Sequence, residues 1–205
     1  MTDPSTVQAV VFDVGRVIIQ WDLRHLFARL IDDEAELDWF CSNVVTEAWH
    51  YQHDAGRPLD EMVPERKAQF PEHAHLIEAY RTRFLETIPG PVPETTALIE
   101  RLARRGHPLY AITNFGAEFW EDFRPTAPVL DHFRDIVVSG REKLAKPDPA
   151  IYRLAEQRFG LDAGTMLFID DNAANIAAAR DEGWQVHHFT GADRLEADLS
   201  ERGLI

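Results

Sequence analysis

Cysteine is almost missing from this chain of 205 residues: Cys41 stands alone. An internal disulfide is therefore excluded, and a reducing compartment, the cytoplasm, is expected. Long apolar runs are missing too. No stretch approaches the roughly 20 residues that a membrane-spanning helix needs, so no membrane partner is expected. The start, Met1-Thr2-Asp3-Pro4-Ser5, has neither a basic segment nor an apolar one and predicts no secretion signal. Positive charge is scarce: 21 Lys and Arg face 35 Asp and Glu, a formal net charge of -14. A nucleic-acid backbone would be repelled, so no nucleic-acid partner is expected. A small anionic substrate is not excluded, because a bound cation and nearby backbone N–H groups can reverse the field locally. Repeats and low-complexity segments are absent as well. What remains, 45% apolar and 27% charged residues, is the make-up of a globular protein with a full core, either one domain or one domain with an insert. Monomer and homodimer both stay open.

Against that background the placement of carboxylates stands out. The apolar run Val7-Gln8-Ala9-Val10-Val11-Phe12 ends in Asp13, and the run Met166-Leu167-Phe168-Ile169 ends in Asp170-Asp171. Carboxylates avoid the interior unless they are paired or hold a metal. Between these runs lie further strand-like segments, Leu109–Thr113 and Ile136–Ser139. Helical segments alternate with them: Pro93–Arg104 closed by Gly106, Pro149–Phe159 capped by Asp148 and stopped by Gly160, an Ala-rich stretch ending near Gly183, and an amphipathic C-terminal one after a short strand at Val186–Phe189. The alternation predicts an α/β fold with a Rossmann-like parallel sheet and helices on both faces.

From Val17 to about Ile88 the pattern changes. Leu23–Leu30, Glu34–Asn43, Leu59–Phe70 and His75–Ile88 carry helical spacing and no strand-like run. Pro89-Gly90-Pro91-Val92-Pro93 reads as the hinge back. The expected organisation is a core of residues 1–16 and 90–205, with residues 17–89 inserted after the first strand as an all-helical cap over the active-site crevice.

In a parallel sheet the carboxyl ends of the strands share one edge, where ligands bind. Asp13, Thr113-Asn114, Lys146 and Asp170-Asp171 are thus expected to converge. Taken singly, each has a plainer explanation. Asp13 could cap a turn, Asp170 or Asp171 could cap the next helix, Thr113-Asn114 could turn the chain, and Lys146 could be a solvated surface lysine. Together they suit phosphoryl transfer: a carboxylate nucleophile, oxygen ligands for Mg²⁺, a hydroxyl for the phosphate oxygens and a lysine to balance charge.

Phe12-Asp13-Val14-Gly15, Ile112-Thr113-Asn114, Lys146-Pro147-Asp148-Pro149 and Phe168-Ile169-Asp170-Asp171-Asn172, in this order, resemble the four motifs of the haloacid dehalogenase superfamily. The helical insert is similar to that family's C1 cap. Within the superfamily the sequence looks most like the subgroup of glucose-1-phosphate phosphatase and the phosphatase domain of epoxide hydrolase. The resemblance implies a Mg²⁺-dependent phosphatase acting on a small phosphorylated metabolite, a sugar phosphate for instance, through an aspartyl-phosphate. Asp13 matches the nucleophile and a metal ligand. Thr113 and Asn114 match the phosphate-binding pair, and Lys146 the lysine that holds nucleophile and phosphate. Asp171 matches the metal-binding carboxylate, with Asp170 a ligand or a partner behind it, and Asn175 has a supporting role. The alternatives are a metal-independent 2-haloacid dehalogenase, whose nucleophile attacks carbon, and a binding protein with little turnover.

One position departs from the pattern. Gly15 stands where most family phosphatases carry a second Asp, the general acid and base. The Gly15 carbonyl can still bind Mg²⁺, but the proton donor is lost. A positioned acid is worth roughly 10²–10⁴ in rate, so activated esters such as anomeric or acyl phosphates are the expected substrates. Arg16, beside it, is expected to reach the substrate or pair with Asp22. His53 and Arg57, at the turn Asp54-Ala55-Gly56-Arg57-Pro58, are candidates for contacting the leaving group. His50 and His53 read as packing residues rather than a zinc pair, because no third ligand has fitting spacing. Trp21, Trp39 and Trp49 read as cap core rather than a sugar platform, with one of them stacking on substrate as the alternative.

Overall fold

The computed structural model describes residues 6–205. The expectation drawn from Met1 to Ser5 lies outside them. Five parallel strands form the main sheet: β1 (Ala9–Phe12), β4 (Leu109–Thr113), β5 (Asp135–Val138), β6 (Met166–Asp170) and β7 (Gln185–His188), in the order β5-β4-β1-β6-β7. β1 thus sits at the centre, with Phe12 opposite Ala111 of β4 and Ile169 of β6. Strand β1 is apolar throughout because both of its faces are covered. Val10 and Phe12 join one core cluster with Leu98, Ile99 and Leu195, whereas Ala9 and Val11 join another with Ile151, Tyr152 and Ile176. The helices responsible are α6 (Pro93–Arg104) and α11 (Ala192–Glu201) on one face, and α9 (Pro149–Phe159) and α10 (Ala173–Asp181) on the other.

The helical insert comprises α1 (Leu23–Phe27), α2 (Glu34–Asn43), α3 (Glu47–Asp54), α4 (Leu59–Gln69) and α5 (Ala74–Thr82), followed by a separate 3₁₀ turn, Phe84–Thr87. Asp22, Asp33 and Thr46 each accept a backbone N–H at the start of one of these helices, the usual work of such residues at N-caps. Leu26, Phe40, Met62 and Tyr80 belong to the same apolar cluster as Val10 and Phe12, so these helices share a continuous core with the sheet.

The insert is not wholly helical. Ile19–Gln20 (β2) pairs antiparallel with Gly90–Pro91 (β3), so both chain crossings run through one small ribbon. Two-residue strands are too short to show an alternating pattern in sequence. Ser139 likewise leaves β5 and opens the short helix α8 (Ser139–Glu142), which a left-handed Lys143 ends. The helix α7 (Ala117–Phe123) follows β4. Among the described residues no helix is long and apolar enough to cross a membrane.

Candidate active site

The central place of β1 brings the predicted residues together. Asp13 follows the last residue of β1 and donates its N–H to Ile169 O at 2.8 Å. Thr113 ends β4 on one side and Asp170 ends β6 on the other. Lys146, from the loop before α9, reaches between them. Its Nζ lies 2.7 Å from Asp13 Oδ1 and 2.7 Å from Asp170 Oδ2, and donates to Ile112 O at 2.8 Å. The side chain is 1% exposed. Burial disfavours its charge, but Asp13 and Asp170 outweigh that and hold the ammonium above its ordinary pKa.

The loop carrying Lys146 is fixed by Asn114, whose Oδ1 accepts the Lys146 N–H at 2.9 Å and whose Nδ2 donates to Lys146 O at 2.9 Å. Asn114 therefore acts on the lysine backbone. Thr113 Oγ1 is buried and has no partner among the described residues. A buried hydroxyl without a partner is costly, and it is the group expected to meet phosphate.

The two adjacent acids behave differently. Asp170 is fully buried and committed. Besides Lys146 it accepts the Asn172 N–H at 2.7 Å and the Asn175 amide at 3.1 and 3.0 Å. Asp171 spends no side-chain bond on another described residue and lines the cavity with Asp13. Neither acid caps α10; Asn172 does, accepting the Ala174 N–H. One oxygen from each of Asp13, Asp170 and Asp171 lies within 4.8 Å of the others. Burial first, then the charge of Asp170, pushes Asp171 up. Burial also pushes Asp13 up, to about 7, against the pull of Lys146. Three carboxylates around one ammonium leave negative charge uncompensated, and an all-oxygen donor set of this kind suits a hard divalent cation. The Gly15 backbone borders the same cavity.

The cavity measures about 160 Å³, below the roughly 300–1,000 Å³ of drug-sized ligand sites. Its outer wall is Ile19, Trp21, Tyr51, Phe84 and Phe115. Arg16 stands at the rim in a left-handed conformation (φ 59°), 4.8 Å over the Trp21 ring. It pairs with Glu47 and not with Asp22, which is occupied as the N-cap of α1. His53 and Arg57 do not line the cavity. His53 is buried edge-on to Phe119 with Nδ1 2.9 Å from Arg57 O, and Arg57 is held by Gln52 and Glu65. Burial keeps His53 below its ordinary pKa and His50 at about 3, so both rings are neutral. His50 packs against Trp21 (4.9 Å) and Phe84 (5.5 Å).

Sequence reasoning passed over Asp54. It ends α3, is 5% exposed, and lines the cavity from the side of the insert. The available signal was the spacing of His50 and Asp54, four residues apart on one helix face.

The model of a hydrolase family, the haloacid dehalogenase-like hydrolases, matches residues 7–183. The chain is 26% identical to the sesquiterpene phosphatase astK of Aspergillus oryzae (strain ATCC 42149 / RIB 40), across 98% of each protein. It is 29% identical to (S)-2-haloacid dehalogenase 2 of Pseudomonas sp. (strain CBS-3) over 55% of this chain and 49% of that protein. The fold is shared with the enzyme bt-2542 of Bacteroides thetaiotaomicron, solved in complex with magnesium and inorganic phosphate, at TM-score 0.65 and 19% identity over 88% of this chain and 93% of that one.

Proposed function

This chain belongs to the haloacid dehalogenase-like hydrolase family, and on that premise we propose that it is a Mg²⁺-dependent phosphatase that cleaves a small phosphate ester through an aspartyl-phosphate on Asp13. One observation carries it: Lys146 bridges Asp13 and Asp170, while the Asp171 carboxylate beside them bonds no other described residue. A dehalogenase attacks carbon and needs no metal, and adjacent carboxylates without a cation would repel each other. The full-length similarity to a named phosphatase and the shared fold of an enzyme solved with magnesium and phosphate support the same choice.

Asp13, Asp171 and the Gly15 carbonyl would hold the ion, which neutralises phosphate oxygens and lets a carboxylate approach phosphorus. The remaining work falls to the chain. Asp13 attacks phosphorus in line with the departing oxygen. Lys146 orients the other Asp13 oxygen and stabilises the charge that builds on the phosphoryl group. The Thr113 hydroxyl donates to a phosphate oxygen, which gives it the partner it lacks. Asp170 and Asn175 keep Lys146 in position from behind. The helical insert covers the sheet edge and narrows the cavity to small esters, as a cap does.

The test is a panel of phosphate monoesters assayed with Mg²⁺ and with EDTA, beside halide release from 2-chloropropionate, with Asp13→Asn as the blank. Phosphate release abolished by EDTA is expected. Halide release without metal would establish the dehalogenase instead.

A further inference from the structure

Gly15 leaves the nucleophile strand without the proton donor that an ester with a poor leaving group needs, and the insert places a carboxyl in the same cavity. Asp54 is buried and lines the cavity together with Asp13, Lys146 and Asp171. Its backbone oxygen accepts the Ser139 hydroxyl at 2.5 Å, and the same hydroxyl oxygen accepts the Phe115 N–H at 2.9 Å. The end of α3 is thereby fastened to the sheet domain just beyond Thr113 and Asn114. One carboxyl oxygen, Oδ2, lies 3.3 Å from His50 Nε2, and His50 Nδ1 lies 2.7 Å from the Tyr80 hydroxyl. The other, Oδ1, has no partner among the described residues.

We propose that Asp54 is the general acid and base of this hydrolase, supplied by the inserted helix α3 in place of a residue at position 15. The inference rests on the phosphatase function proposed above. In the first step Asp13 forms a bond to phosphorus and the bond from phosphorus to the ester oxygen breaks. The Asp54 proton goes to that oxygen, so an alcohol leaves and Asp54 becomes a carboxylate. In the second step water attacks phosphorus and its proton goes to Asp54. The bond to Asp13 breaks, inorganic phosphate departs, and both carboxyl groups return to their starting state. The sum is ester plus water giving alcohol plus phosphate.

The surroundings fit both protonation states. Burial raises Asp54 to about 8; the Gly116 N–H opposes this, Asp13 adds to it and Lys146 opposes it. An acid poised near neutrality is what this chemistry needs. Tyr51 and Tyr80 also face its charge, and both are themselves raised by burial. His50 stays neutral. A neutral imidazole accepts at Nε2 from protonated Asp54 in one tautomer and donates to ionised Asp54 in the other, with the Tyr80 hydroxyl complementing Nδ1 in either case. His50 and Tyr80 are positioning residues in this scheme. With the proton available from Asp54, the restriction to activated esters expected from Gly15 is lifted.

The experiment compares wild type, Asp54→Asn and Asp54→Glu, with Mg²⁺, on aryl and alkyl monophosphates of graded leaving-group pKa. Wild type is expected to show kcat/KM nearly independent of the leaving group. Asp54→Asn should lose roughly 10²–10⁴-fold on alkyl esters and much less on nitrophenyl esters. It should accumulate labelled phosphoprotein on rapid quench, because the second step lacks its base. Asp54→Glu should recover part of the alkyl-ester rate. An equal loss across the panel, or no loss, overturns the assignment. A variant-free arm measures the solvent isotope effect of wild type on an alkyl ester, and a value of unity also overturns it. A wild type that hydrolyses no ester at all refutes the phosphatase function itself, a separate outcome from an active enzyme indifferent to Asp54.

Discussion

Asn114 and Lys146 hold each other by two hydrogen bonds of 2.9 Å, the asparagine side chain clasping both polar groups of the lysine backbone. The ammonium that orients Asp13 is thus set by a residue that never touches the acid. Asn114→Ala would leave the Lys146 N–H without its partner in a partly buried place, while the Lys146 carbonyl would keep only the Tyr51 hydroxyl at 3.2 Å, a cost of about 1–3 kcal/mol in stability. Because a small displacement of a catalytic group can lower turnover on the order of 10²-fold, kcat is expected to fall by about 10–100-fold with KM little changed. Steady-state kinetics and urea unfolding check both figures. Unchanged kcat would mean that the Lys146 loop is held by other contacts.

The unequal commitments of the neighbouring acids predict unequal variants. Asp170 bonds Lys146, Asn172 and Asn175, so Asp170→Asn should lower stability with or without metal. Asp171 is raised by burial and by the charge of Asp170, so its ionised form costs stability at neutral pH when no cation is present. Asp171→Asn should keep or slightly raise the metal-free melting temperature, yet lose the rise that Mg²⁺ gives the wild type. That rise corresponds to about 2.7 kcal/mol at a hundredfold excess over Kd. Thermal melts with Mg²⁺ and with EDTA decide it, and an Asp171→Asn protein that still responds fully to Mg²⁺ would displace Asp171 from the metal site.

Asp54 carries a cost that can be read without any assay of turnover. Its carboxyl is raised from 3.8 to about 8, first by burial. Between those pH values the folded protein keeps a proton that the unfolded chain releases. The stabilising contribution of that proton is complete below the ordinary carboxylate range and is lost as pH rises to about 8. Each step of one pH across that window costs the fold about 1.4 kcal/mol, so the penalty at pH 8 reaches a few kcal/mol. Asp54→Asn should therefore be the more stable protein at pH 8 and should lose less stability than wild type between pH 5 and pH 8. Parallel pH dependences in guanidinium unfolding would show that Asp54 is ionised in the fold.

The sheet and its acidic edge were legible because buried parallel strands are written as apolar runs, and Asp13 and Asp170 interrupt such runs at their last positions. Helices α6 and α9 announced both ends through Pro93 and Gly106, and through Asp148 and Gly160. The ribbon of Ile19–Gln20 with Gly90–Pro91 was invisible, since register between two-residue strands leaves no periodicity. The partner of Arg16 was misjudged for a related reason. Glu47 is 31 residues away, and only the fold brings it closer than Asp22. Asp54 was hidden by its neighbours: in sequence it opens an Asp-Ala-Gly turn, and only burial against Gly116 and Ser139 separates it from a solvated acid. His53 and Arg57 drew attention in its place by their chemistry, although His53 packs edge-on to Phe119 and Arg57 is held by Gln52 and Glu65, neither of them lining the cavity.

Gly116 is where the inserted helix meets the sheet domain with no space to spare. A Cβ built there would overlap the ring of His53. That ring is 2% exposed, lies 4.8 Å edge-on to Phe119, and has Nδ1 anchored 2.9 Å from Arg57 O, so it has nowhere to move. Gly15, which borders the cavity, would accept a Cβ with nothing within 4 Å. Neither glycine has a positive φ, so the contrast is one of space alone. Gly116→Ala is expected to cost about 1–3 kcal/mol through overpacking, and Gly15→Ala should unfold like wild type. Displacing His53 also displaces Asp54, its neighbour on α3, so Gly116→Ala should lower kcat beyond what the loss of folded protein explains. The double variant Gly116→Ala, His53→Ala removes the obstructing ring and should be less destabilised than the sum of its single variants, a coupling of about 0.5–3 kcal/mol for residues in contact. Additive effects in that cycle would mean that the alanine methyl meets some group other than His53.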